Sequence, residues 1–185
     1  MSTFGNPDTA VYLLCMEEIK RRQIAIDDIL SKKMSTSFQY TNVEFVALQY
    51  RKILELIILA SLASNRALLD RALAEINNEW RIKNVIKRVE KVNPGFYPRP
   101  IIRVPSNKPN VVDEWLDKTS GFLTRGKLIE YFDKLGGLLH ARSPYRPDVD
   151  LREFESMFGG LRENIIALLN NHTVMMPGGK VQLYV

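Results

Sequence analysis

Cysteine and histidine are scarce in this sequence: Cys15, His140 and His172 are the only three in 185 residues. A lone thiol excludes an internal disulfide. One cysteine and two histidines are also too few for a structural Cys/His zinc site within one chain, so no metal and no cofactor are expected. Long hydrophobic runs are missing too. The most apolar window, 53–63, carries Glu55 and is about half the length needed to span a bilayer. The N-terminus has no basic segment ahead of its apolar stretch, which soon meets Glu17 and Glu18, so no secretory signal is expected. With a single thiol, this points to the cytoplasm and away from a membrane. A strong charge excess is lacking as well. The 26 basic and 21 acidic residues leave +5, a tilt towards an anionic partner rather than a nucleic-acid signature.

What is present is ordinary globular material. An apolar content of 45% supplies a core for one domain over residues 1–185, and no solenoid repeat is visible. The first helix is predicted over 6–33. Asn6-Pro7-Asp8 gives a cap, a proline suited to the first turn and an acid, and Tyr12, Cys15, Ile19, Ile26 and Leu30 recur at helical spacing. Glu17–Arg21 and Glu18–Arg22 are i,i+4 pairs, so the Lys20-Arg21-Arg22 triplet reads as a solvated, paired face. A second helix is predicted over 41–63, opened by a Thr41/Glu44 capping box. Nine of the eleven residues in 53–63 are apolar, which marks this helix as the central one. Amphipathic helix is expected over 65–74 and a basic helix over 80–92, stopped by Asn93-Pro94-Gly95.

Five of the nine prolines fall in the connector 94–112, which must be extended or irregular. Its Ile101, Ile102 and Val104 suit a short edge strand or a strap docked on the helices. Helices follow at about 124–142 and 150–171. The tail 172–185 reads as a strand, a Pro-Gly-Gly turn and a strand; a hairpin this short must pack on the helices or pair with a partner's edge. The expected fold class is therefore all-α: an up-and-down helical bundle of four to five main helices with a proline-rich strap and a small C-terminal β-hairpin.

Three constellations carry chemistry. On an ideal helix Arg51 and Glu55 each lie about 20° from the direction of Glu44, on opposite sides. The three thus share one polar stripe on an apolar helix. They form either an internal ion-pair network that fixes packing or the polar floor of a site. The glycine pairs Gly136-Gly137 and Gly159-Gly160 cost helix stability unless close packing, within a chain or between two, returns it; alternatively one pair ends a helix early. Finally, Lys134, His140, Arg142 and Arg146 cluster at the end of a helix. The imidazole is placed to move a proton and the cations to hold a phosphodiester, or the histidine caps carbonyls and the arginines face solvent. His172, at the Asn170–Thr173 junction, reads as a turn residue.

The string LGGLLHARSPY, over 135–145, resembles the HEPN superfamily of α-helical domains found in bacterial toxins and defence proteins. FVALQYRKILELIILASLAS, over 45–64, resembles the central helix of bacterial HEPN-like proteins, and KVNPGFYPRP, over 91–100, resembles their connector. Together these touch about a third of the chain. The resemblance implies a metal-independent RNA endonuclease acting as a homodimer, with two Arg-x(4–6)-His motifs meeting in a shared cleft. His140 matches the histidine of that motif. Its arginine is replaced by Lys134, six residues ahead, which lacks the bidentate grip of arginine. The implied roles are His140 as general acid or base, with Lys134 and Arg142 stabilising phosphate charge. Arg146, Arg51, Glu55 and Glu44 remain as substrate-binding candidates. The alternative is a non-catalytic HEPN-like module that binds a protein or nucleic-acid partner.

Overall fold

A computed structural model of the chain describes residues 7–63, 82–140, 145, 150–176 and 179–184. Five helices lie among these residues: α1 (Pro7–Leu30), α2 (Gln39–Ala63), α3 (Ile82–Val92), α4 (Arg125–Leu138) and α5 (Leu151–Leu169). Four strands accompany them: β1 (Arg99–Pro105), β2 (Asp113–Asp117), β3 (Asn171–Met176) and β4 (Gly179–Tyr184). The helices predicted over 6–33, 41–63, 80–92, 124–142 and 150–171 correspond to α1 to α5. The helix expected over 65–74 lies outside the described residues.

α2 is the spine. Val43, Val46, Ala47, Tyr50, Ile53, Leu54, Ile57, Ile58, Ala60 and Leu62 are all buried along it. α1 packs along one side of α2 through Tyr12, Met16, Ile19 and Ile26, and α4 packs on another through Leu128, Phe132 and Leu135. Burial of each such side chain is worth about 1.5–3 kcal/mol, so this apolar seam sets the helix arrangement. Polar clamps tie α5 to α1 and α2. Arg162 on α5 donates two hydrogen bonds, 3.0 Å each, to the carboxylate of Asp27 on α1. Tyr50 donates to the Phe158 carbonyl at 3.2 Å.

Local capping follows the sequence at two helices. Thr124 accepts from the Lys127 amide and Asp150 from the Arg152 amide, starting α4 and α5. At α2 the expected capping box does not form. The helix starts at Gln39, so Thr41 lies inside the first turn and its hydroxyl donates to the Phe38 carbonyl at 2.7 Å. On α1, Glu18 pairs with Arg22 as expected, whereas Glu17 pairs with Lys20 rather than Arg21.

The chain is predominantly helical but not all-α. The connector and the tail join in one antiparallel sheet of order β2-β1-β3-β4. β1 divides its pairing: Arg99 and Pro100 face Thr173 and His172 of β3, while Ile101 to Pro105 face Asp117 to Asp113 of β2. Each half of β1 therefore has only one partner strand, which is how a strand between two neighbours tolerates two prolines. The tail hairpin is held by this short β1–β3 contact and by Val174 in the core. No described helix is long and apolar enough to cross a membrane.

Candidate functional site

Three helices line one open cleft, two of them through residues spaced i,i+4. α2 supplies Arg51 alone. α3 supplies Lys83 and Lys87. α4 supplies Phe132 and Gly136, and the next step of four along the chain reaches His140 just past the helix end. With Ile82, Asn84, Asp133 and Gly137, these residues line a space of about 630 Å³.

Arg51 is the deepest of the cations, with its side chain one-quarter exposed. Its guanidinium carbon sits 4.1 Å from the centre of the Phe132 ring, a cation–π contact. Behind it, Glu55 is almost wholly buried and lies 3.8 Å from the Arg51 Nε; its second oxygen accepts from Lys52 at 2.9 Å. The polar stripe on α2 thus resolves into an ion-paired carboxylate behind an arginine aimed at the cleft. A lining guanidinium whose Nε end is held by a carboxylate suits an anionic ligand.

Lys83 reaches across the cleft to the Asp133 carboxylate and ties α3 to α4. Lys87 is exposed. The lining carries three fixed cations against one carboxylate, so its field favours an anion. His140 is exposed and follows the C-cap Leu139, whose amide donates to the Gly136 carbonyl.

The candidates from the sequence separate in space. His140 and Arg51 share the cleft, and Glu55 backs Arg51. Glu44 lies seven residues before Arg51 on α2, about 10 Å along the axis, and does not line the cleft. Lys134 points along its own helix to Glu130, 3.2 Å away, and is not part of the lining. Arg142 and Arg146 lie outside the described residues. Lys83, Asn84, Lys87, Phe132 and Asp133 join the site without having been singled out. The four-residue spacing of 132, 136 and 140, and of 83 and 87, is the signal that places them on common faces. Among the described residues, no three His, Cys, Asp or Glu side chains stand close enough to hold a metal ion.

His172 is not a turn residue. It is fully buried on β3, with Nδ1 2.8 Å from the Leu169 carbonyl and Nε2 2.6 Å from the Tyr12 hydroxyl. The carbonyl can only accept, so Nδ1 carries the hydrogen and Tyr12 donates to Nε2. Burial lowers the imidazole pKa below its usual 6.5, opposed by the Leu169 hydrogen bond, and raises that of Tyr12. This pair belongs to the core between α1 and β3.

No family model, curated protein or solved structure matches the chain. The functional reading therefore rests on the cleft.

Proposed function

We propose that this chain is a HEPN-like, RNA-binding domain of the toxin or defence kind. In this reading it is an up-and-down helical bundle working in the cytoplasm as a homodimeric, metal-independent endoribonuclease. The observation that carries the reading is that His140 and Arg51 line one cleft together with Lys83 and Lys87. A titratable imidazole beside a guanidinium and two ammonium groups is the equipment for holding a phosphodiester and moving a proton next to it. Arg51, from a different helix, takes the place that the local motif leaves to Lys134.

His140 removes the proton of a ribose 2′-hydroxyl as its oxygen attacks the adjacent phosphorus. The bond from phosphorus to the 5′-oxygen breaks, leaving a 2′,3′-cyclic phosphate and a 5′-oxygen that takes a proton from an acid. In a homodimer that acid is the partner subunit's His140. Arg51 meets the charge that builds on the phosphate oxygens. Arg142 and Arg146, which follow His140 in the chain, hold flanking phosphates.

One observation favours a second reading, a non-catalytic HEPN-like module that binds a nucleic-acid or protein partner. The cleft has one histidine, and its nearest carboxylates, Asp133 and Glu55, are already ion-paired. A single chain therefore offers one proton-transfer group where the reaction uses two.

Incubating unstructured RNA with the wild type and with His140→Ala, in the presence of EDTA, tests both readings. Catalysis predicts products with cyclic-phosphate ends and a rate lower by about 10²–10⁴-fold in the variant. Binding by both proteins with no cleavage by either supports the second reading. If the wild type neither binds nor cleaves RNA, the nuclease reading and the nucleic-acid form of the second reading are both contradicted.

A further inference from the structure

Gly136 and Gly137 are neighbours on α4 with different surroundings. Gly136 is buried, and a Cβ built on it would overlap the Arg51 Nη1 and stand 3.5 Å from the guanidinium carbon. Gly137 is exposed, and a Cβ there would meet nothing within 4 Å. The close approach at Gly136 is to a side-chain tip from α2, not to a neighbouring backbone. Helix packing alone does not require a missing side chain here. The position of one guanidinium does.

We infer that Gly136 is a positioning residue of the cleft: its missing side chain is the seat that lets Arg51 lie across α4 on the His140 side. Three contacts fix the guanidinium. The Phe132 ring supports it at 4.1 Å, the Glu55 carboxylate holds its Nε end at 3.8 Å, and the missing side chain of Gly136 leaves room for its Nη1 end. The ring and the glycine are one turn apart on α4, and the gap at the glycine is the groove that takes the tip of the planar group. A methyl at 136 fills that groove. The guanidinium must then leave the ring or turn its fork away, and a ligand phosphate loses its deepest cation. The ligand class, a phosphodiester, is taken from the RNA reading above. The seat itself depends only on the geometry.

The experiment uses the full chain and five proteins: wild type, Gly136→Ala, Gly126→Ala, Arg51→Ala and the double variant Gly136→Ala/Arg51→Ala, which closes a cycle. Two readouts are taken. The side-chain Nε–H resonance of Arg51, shifted by the ring current of Phe132, reports the seat without any ligand. Affinity for a single-stranded RNA oligonucleotide reports its use. Gly136→Ala is expected to move the Arg51 resonance and weaken RNA binding by about tenfold or more, the loss of one charge-assisted contact. Gly126→Ala, at an exposed position in the first turn of α4 that is not part of the cleft lining, should change neither. Arg51→Ala should lose as much affinity as Gly136→Ala, and the double variant no more than either, because both remove the same interaction.

An unmoved Arg51 resonance in Gly136→Ala overturns the inference. So does an affinity loss in Gly136→Ala that adds in full to that of Arg51→Ala. A moved resonance combined with RNA affinity that ignores both substitutions keeps the seat and overturns the RNA reading instead.

Discussion

Tyr12 and His172, 160 positions apart in the chain, meet across the core at 2.6 Å. Tyr12→Phe leaves the buried Nε2 without its donor, and an unsatisfied group of this kind costs about 1–3 kcal/mol in chemical denaturation. The same histidine makes stability depend on pH. Its folded pKa lies below 6.5, so the unfolded chain binds the proton first. The contribution is complete above about pH 6.5 and is lost as pH falls below that towards the folded value. Asp27 adds a separate step. Its hydrogen bonds from Arg162 hold its carboxyl below the usual 3.8, so its contribution persists to lower pH and disappears only as pH falls through that depressed value. Denaturation midpoints measured from pH 7 to 5 should fall for the wild type and flatten for His172→Gln, while Asp27→Asn should leave that window unchanged. None of this was legible locally. Asn170-Asn171-His172-Thr173 has the composition of a turn, and only the pairing of β3 with β1 carries the histidine inside.

At the scale of the elements, the sequence was legible wherever the signal is short-range. Pro7, Thr124 and Asp150 mark helix starts, and the apolar run of 53–63 marks the buried spine. The glycine pairs were read as one class and prove to be two. Gly136 is occupied by Arg51, whereas Gly137, Gly159 and Gly160 face open space among the described residues. Alanine at each of these three should stabilise the folded chain by about 0.5–1 kcal/mol through helix propensity alone. Alanine at 136 should not, since the gain meets a displaced guanidinium. Thermal melting of the four single variants checks this ordering. A stability gain at Gly159 or Gly160 accompanied by loss of dimer in sedimentation would assign that pair to an interface between copies.

For the whole molecule, the long-range pairings escaped the sequence. Local pattern suggested a strap and a separate hairpin, yet Arg99 and Pro100 reach the tail and turn the two into one sheet. The candidate site was half legible for the same reason. His140 and Arg51 were each identifiable from their own surroundings, but their shared cleft depends on α2 packing against α4. The Lys134–Glu130 ion pair, an ordinary i,i+4 contact, turned the expected cation away from it. The proposed grip of this cleft on RNA phosphate runs through Arg51. The most direct test is the affinity of a single-stranded RNA oligonucleotide for wild type and Arg51→Ala, measured by fluorescence anisotropy across a series of salt concentrations. Binding weaker by about tenfold in the variant, with a log–log salt slope shallower by about one phosphate contact, is the expected result. Equal affinity and equal slope for the two proteins would contradict it.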